Sequence, residues 1–138
     1  MPITFQIDHD RKIVFARGLG VLTDEDVFGY QRDVWSRENI RGYSEMMDMR
    51  GVERIALPSM DRVRDLANLS AEMDAGQQGT KFAIVASGDL AFGLGRMYEV
   101  YRVMHPKSGK EVKVFRNPED ALKWLEEGLT GSGSGEKA

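Results

Sequence analysis

Apolar residues recur along this chain with two different periods, and the switching between them predicts the secondary structure. Period-two alternation over residues 4–7 and 12–17, on either side of the polar run 8–11, predicts a β-hairpin. Apolar stretches predict three further strands, at residues 44–49, 80–86 and 111–115. Apolar side chains at helical spacing fill the segment before the first of these strands and the segments after all three, so four helices are expected.

The ends of the predicted helices are marked by capping residues and glycines. N-caps are predicted at Thr23, Ser59 and Asn117. Gly128 is expected to end the last helix. Residues 130–138, rich in Gly and Ser, are therefore predicted to be a disordered tail that follows a single domain at residues 1–129.

The order of the predicted elements is a hairpin followed by α-β-α-β-α-β-α. Strands that alternate with helices pair in parallel through crossover connections, whereas the hairpin adds an antiparallel edge. The sequence therefore predicts an α/β fold with a mixed five-stranded sheet, made of an N-terminal antiparallel hairpin plus parallel strands, and about four packed helices.

Composition narrows the function classes. The 138 residues include no cysteine, which removes disulfides, zinc ribbons, iron–sulfur clusters and thiol nucleophiles. The net charge of −3 argues against a dedicated nucleic-acid-binding protein, which usually has a basic face. No apolar run approaches the roughly 20 residues of a membrane span, and the first residues do not form a signal peptide. We expect a cytoplasmic domain with no nucleic-acid partner and no membrane span.

Two segments give the chain a family resemblance. The strand that ends in Asp-Met-Arg-Gly (48–51) and the closing run Phe-Arg-Asn-Pro-Glu-Asp-Ala-Leu-Lys-Trp-Leu (115–125), together with the element order, resemble the SpoIIAA-like family. That family belongs with the STAS domains (sulfate transporter and anti-sigma-factor antagonist), to which the CRAL-TRIO lipid-binding domains are structurally related. The resemblance spans about residues 3–128. It implies a cytoplasmic STAS-type domain that binds a protein partner or a small apolar ligand.

The resemblance does not extend to the phosphorylation motif of the anti-sigma-factor antagonists. Those proteins have an Asp-Ser-Ser-Gly-like motif at the helix after the third strand. The corresponding stretch here, residues 55–62, offers only Ser59 and lacks a Ser-Gly neighbour. A phosphorylation switch of that kind is therefore not expected.

Sequence signatures of catalysis and of phosphate binding are not met. His9 in a predicted turn and His105 at a helix end give neither an HExxH motif nor a metal-ligand spacing. Residues 88–95 contain three glycines but match neither the dinucleotide fingerprint nor the Walker A loop, and Asp89 would repel a phosphate. Small residues at 93 and 95 instead allow the helix to approach the sheet or a partner helix closely. We predict no catalytic residue, no metal site and no cofactor, although carboxylates and arginines at strand ends leave acid–base chemistry open.

Polar residues at the predicted strand ends form a first candidate binding site. Asp48 and Arg50 follow a central strand at its carboxyl end, where open α/β sheets bind ligands. Ser59, Ser87 and Arg96 would converge on the same edge if the strands are neighbours. The alternative is that Asp48 caps a turn or pairs with an arginine and has a structural role.

The third predicted helix, residues 89–104, is the second candidate. It is apolar over more than one face, through Phe92, Leu94, Met97, Tyr98 and Tyr101. Such a helix should pack against a ligand or another subunit on its second face, and the eight methionines of the chain suit adaptable apolar surfaces or pockets. Phe92, Tyr98 and Tyr101 are the expected contacts.

These observations predict a non-enzymatic regulatory or protein-interaction module of STAS type. It is expected to bind a protein partner or to form a homodimer through the third helix. The alternative is a small apolar-ligand or lipid-binding carrier of CRAL-TRIO-like kind, in which methionine-lined walls and the same helix enclose a hydrophobic pocket.

Overall fold

A computed structural model describes residues 2–74 and 79–134 of the chain. The order of elements is β1 (Ile3–Asp8), β2 (Ile13–Thr23), α1 (Asp24–Trp35), β3 (Ser44–Ala56), α2 (Asp61–Met73), β4 (Thr80–Val85), α3 (Asp89–Met104), β5 (Lys110–Phe115) and α4 (Pro118–Ser134). A single 3₁₀ turn, Glu38–Ile40, lies between α1 and β3.

The strands form one five-stranded sheet in the order β1-β2-β3-β4-β5. β1 pairs with β2 antiparallel, and every later pair is parallel. The predicted α/β architecture, a mixed sheet with an N-terminal hairpin and four helices, is confirmed.

Two central strands are longer than the sequence pattern predicted. β2 continues past residue 17 to Thr23 and β3 past residue 49 to Ala56, and the two remain paired to their ends. Glycines permit this pairing rather than ending the strands: a Cβ on Gly18 would lie 2.8 Å from Val52, and one on Gly51 would lie 2.7 Å from the Leu19 side chain. β2 and β3 therefore extend together beyond Gly18, where β2 last pairs with β1, and beyond Asp48, where β3 last pairs with β4.

The helix boundaries were predicted correctly where a side chain caps the helix. Thr23 accepts a hydrogen bond from the backbone N–H of Asp26 in a capping box, and the Asn117 side chain accepts one from the N–H of Asp120. Ser59 is not the cap of α2: Met60 occupies that position and makes no side-chain cap hydrogen bond.

The predicted end of the last helix at Gly128 is wrong. α4 continues to Ser134, because a glycine inside a helix costs only about 1 kcal/mol relative to alanine and need not end it. The helix thus enters the segment that was predicted to be a disordered tail. The remainder of that segment, residues 135–138, lies outside the described residues.

The sheet separates two apolar layers, and the alternation of β3 shows which helices cover each face. Met47 packs in the larger layer with residues of α1, α2 and α3. Met46, one residue earlier, packs instead with Ala121 and Leu125 of α4. Since successive side chains of a strand point to opposite faces, Glu45, Met47 and Met49 point towards α1–α3, and Asp48 points towards the α4 face.

Candidate functional site

A cavity of about 130 Å³ lies between the sheet and helices α1, α2 and α3. Its size is close to the ~150 Å³ apolar cavity that is known to bind benzene. Most of its wall is apolar, with contributions from Leu22, Met47, Met49, Leu66, Ile84 and Leu94. Two methionines in the wall give it side chains that can adjust to a ligand's shape.

Beside the cavity, α3 lies very close to the sheet. A Cβ on Gly95 would lie 3.2 Å from both methyl groups of Val114 on β5, whereas a Cβ on Gly93 would meet nothing within 4 Å. The predicted close approach of the helix to the sheet is therefore found at residue 95. Gly95 itself lines the cavity.

A part-exposed ion pair lines the cavity between α1 and α2. Arg62 Nε lies 2.9 Å from Asp24 Oδ2, and the Arg62 guanidinium lies 4.1 Å from the centroid of the Phe28 ring. All three residues line the cavity. Asp24 and Phe28 belong to α1 and Arg62 to α2, so the pair joins two of the helices that cover the cavity.

A buried carboxylate, Glu45, also lines the cavity. It is 3% exposed, and Tyr30 Oη donates a 2.7 Å hydrogen bond to its Oε2 atom. Lys110, which is 7% exposed, places its Nζ 3.8 Å from Glu45 Oε1. The same Nζ lies 3.3 Å from the centroid of the Trp35 ring, whose Nε1 donates a 3.1 Å hydrogen bond to Tyr30 Oη.

Burial shifts the pKa values of this cluster. Loss of solvation raises the pKa of Glu45, against the opposing effect of the nearby Lys110 ammonium. Loss of solvation lowers the pKa of Lys110 to about 8, although the Glu45 carboxylate favours the charged form. Burial likewise raises the pKa of Tyr30, so its hydroxyl stays protonated and donates a hydrogen bond to Glu45.

A second buried ion pair stands beside the first. Arg102 of α3 pairs through Nη2 with Asp74, and its Nη1 donates a 2.6 Å hydrogen bond to Tyr98 Oη. Burial lowers the pKa of Arg102 to about 10, with Glu45 acting in the opposite direction, and burial raises the pKa of Tyr98. Tyr98 lines the cavity, so the two clusters meet at its wall.

Asp48 and Arg50 lie together, on the opposite side of the sheet from the cavity. The Arg50 side chain donates two hydrogen bonds to the Asp48 carboxylate, at 3.0 and 2.9 Å. Partial burial alone would raise the pKa of Asp48, but the hydrogen bonds from Arg50 lower it. The pairing with an arginine that was the alternative expectation for Asp48 is present.

The predicted convergence of Ser59, Ser87 and Arg96 on that pair is not found: within the described residues, no hydrogen bond or ion pair links them to it. Ser59 follows the long end of β3, and the nine residues from Asp48 to Ala56 span roughly 26 Å as a strand. The Ser87 carbonyl instead accepts a 3.0 Å hydrogen bond from Arg116.

The three aromatic candidates and Arg96 lie on different sides of α3. Tyr98 is buried, so it is unavailable to a protein partner, although it can contact a molecule in the cavity. Phe92 and Tyr101 are half-buried against the core. Arg96 is exposed, with its Nε 3.7 Å from Glu99.

The outward side of α3 has an exposed apolar face. It consists of four residues that are each more than half exposed: Leu90, Val100, Val103 and Met104. This helix was predicted from the sequence to be a partner surface, but its aromatic residues were the expected contacts.

Five residues of the buried clusters were not predicted from the sequence as site residues: Tyr30, Glu45, Asp74, Arg102 and Lys110. The available signal was a charged residue at a buried position, such as Glu45 within an apolar strand. Lys, Glu, Arg and Asp are almost never fully buried unless they are paired. A charged residue at a buried position therefore indicates that it has a partner, but the sequence does not show which residue the partner is.

The described part of the chain contains no group of three or more His, Cys, Asp and Glu side chains that could hold a metal ion. No helix within residues 2–74 and 79–134 is long and apolar enough to cross a membrane.

Comparison with known proteins identifies the fold. No protein-family model matches the sequence, and no curated protein shows a significant match. A crystal structure of an uncharacterized protein of the DUF3478 family from Shewanella loihica PV-4, described as having a SpoIIAA-like fold, matches with a TM-score of 0.57. The two sequences are 20% identical, and the match covers 89% of this chain and 93% of the other. The chain therefore has a SpoIIAA-like fold, as the sequence resemblance implied.

Proposed function

We propose that this domain binds a small apolar molecule in the cavity between the sheet and α1–α3. The observation that supports this proposal most directly is the wall of the cavity, which is apolar on both its sheet side and its helix side with only a few polar groups. Ligand sites in proteins typically have this composition. The proposal corresponds to the apolar-ligand carrier that was the alternative function from sequence.

We propose that the domain binds its ligand without catalysing a reaction. The polar groups at the cavity wall are held by neighbours: Asp24 by Arg62, Tyr98 by Arg102, and Gln31 Oε1 by a 3.0 Å hydrogen bond from Ser70. A nucleophile with an adjacent general base is the arrangement that covalent catalysis needs. The pairings at this wall are instead suited to holding a fixed shape around a ligand.

A matched pair of tryptophan substitutions on α3 tests this proposal. Leu94 lines the cavity, whereas Leu90 lies on the exposed apolar face of the same helix. Leu94→Trp should fill the cavity and abolish toluene binding, measured by NMR titration, whereas Leu90→Trp should leave it unchanged. Toluene binding that survives Leu94→Trp unaltered would place the ligand elsewhere. Native mass spectrometry of the purified protein would reveal any copurified molecule.

A second function is favoured by the exposed apolar face of α3. We propose that this face mediates self-association or binding of a protein partner, as in a regulatory interaction module of STAS type that works as a homodimer. Large exposed apolar patches mark interaction sites, and three of the four residues lie in the last five positions of the helix. A cytoplasmic location remains a prediction from the sequence.

Charge substitution tests the second function. Val103→Glu should convert a dimer into a monomer in size-exclusion chromatography with light scattering. Val21→Glu, at a part-exposed valine on β2, is the matched control and should leave the assembly state unchanged. A wild-type protein that is monomeric at 100 µM, or a dimeric Val103→Glu variant, would reject self-association through α3.

A further inference from the structure

Glu45 gives the apolar cavity one strong hydrogen-bond acceptor. The residue lines the cavity from β3, while Met47 and Met49 of the same strand supply apolar wall. A buried acceptor in such a wall distinguishes ligands by whether they offer a donor, because an unpaired polar group in an apolar site is costly.

The Glu45 carboxylate has acceptor capacity beyond its described contacts. An ionised carboxylate has about four lone-pair positions. Tyr30 donates a hydrogen bond to Oε2, and the Trp35 side chain also stabilises the carboxylate by hydrogen bonding. The Lys110 ammonium lies 3.8 Å from Oε1, within ion-pair range but beyond a normal hydrogen bond. The carboxylate can therefore accept a further hydrogen bond from the cavity side.

The charges of the buried cluster argue for a neutral ligand. In their ordinary ionised forms, Glu45 and Asp74 balance Lys110 and Arg102. A ligand with an ammonium or a carboxylate would bring an uncompensated charge into this buried region, which is strongly unfavourable. A hydroxyl group offers a donor without changing the balance.

We infer that the preferred ligand is a neutral apolar molecule with one hydroxyl group, an alcohol or a phenol, whose hydroxyl donates a hydrogen bond to Glu45. The inference rests on the proposed binding function and specifies the ligand class for the same cavity. The hydrocarbon part of the ligand contacts the methionine and leucine side chains, and the hydroxyl lies beside Glu45.

Toluene and phenol are the probes that distinguish apolar binding from recognition of a hydroxyl group, because they have nearly the same size and toluene carries a methyl group where phenol carries the hydroxyl. We expect phenol to bind the wild-type protein about tenfold more tightly than toluene, because a hydrogen bond to a charged group is stronger than one between neutral groups and desolvation of the hydroxyl offsets only part of the gain. Benzylamine and benzoate should bind more weakly than either. NMR titration at pH 7.5 gives all four dissociation constants.

Two variants test the role of Glu45. Glu45→Gln should weaken phenol binding by about fivefold to tenfold and change toluene binding by less than twofold, since a neutral acceptor forms a weaker hydrogen bond. The double variant Glu45→Leu/Lys110→Met makes this part of the wall apolar and should reverse the preference, so that toluene binds more tightly than phenol. Glu45→Gln leaves the buried Lys110 ammonium without its carboxylate and should be the less stable of the two variants. Circular dichroism and thermal unfolding establish that each variant is folded, and the double variant remains a test if Glu45→Gln does not fold.

The possible results distinguish a failure of the inference about Glu45 from a failure of the proposed binding function. If toluene binds the wild-type protein more tightly than phenol, or if both variants keep the preference for phenol, the inference about Glu45 is wrong while the proposed binding of apolar molecules stands. Tighter binding of benzylamine or benzoate would overturn the argument for a neutral ligand. If neither toluene nor phenol binds, the proposed function fails, and the inference fails with it.

Discussion

Removal of Lys110 from the buried pair should destabilise the protein severely. In Lys110→Met the apolar stem of the side chain is retained over Trp35, but the Glu45 carboxylate, which is 3% exposed, loses its cation. Removing one partner of a buried ion pair typically costs about 3–5 kcal/mol. The Tyr30 hydrogen bond stays in place and partly stabilises the carboxylate, so we expect a value near the lower end, about 3 kcal/mol.

Urea unfolding followed by tryptophan fluorescence and circular dichroism measures this loss. Lys113→Met is the matched control, because Lys113 lies on the same strand with an exposed side chain, and it should change the free energy of unfolding by no more than about 0.5 kcal/mol. The double variant Glu45→Leu/Lys110→Met should recover most of the loss, since an apolar replacement removes both buried charges.

A loss below about 1 kcal/mol in Lys110→Met would refute this reasoning. It would mean that Glu45 is hydrated or protonated at neutral pH without cost, and that the two residues are not coupled as a buried ion pair. A double variant as unstable as Lys110→Met would show that packing around Trp35, rather than charge, sets the stability of this region.

Two further predictions follow from the same structure. Gly93→Ala should stabilise α3 by about 1 kcal/mol. Gly95→Ala should be at least about 1 kcal/mol less stable than Gly93→Ala, because its new methyl group crowds Val114. Equal thermal stabilities of the two variants would contradict the close approach of α3 to β5. Thr23→Ala removes a capping-box side chain and should lower the free energy of unfolding by about 1 kcal/mol, measured by urea denaturation. No change would mean that the cap does not stabilise α1.

The order and type of the elements could be derived from the sequence because they depend on local patterns. Alternation predicted the hairpin, helical spacing predicted the four helices, and Thr23 and Asn117 gave two helix starts correctly. The extent of two strands was not predicted. The predicted strands stopped at residues 17 and 49, but Gly18 and Gly51 allow β2 and β3 to pair beyond the rest of the sheet, since the side chain that needs the space lies on the neighbouring strand.

The candidate site depended on tertiary structure. Tyr98 and the apolar residues of α3 were visible in the sequence, but only packing decides that Tyr98 faces the cavity while Val103 faces outward. Glu45, Lys110 and Arg102 are far apart in the sequence, and no local pattern marks them as partners. Whether such a charge is exposed or buried depends on which distant charge comes within ion-pair distance after folding, because burial is tolerable only when a partner compensates it. The sequence by itself determined the SpoIIAA-like arrangement of strands and helices. The cavity, and the paired charges at its wall, were decided by contacts between segments that only the folded chain brings together.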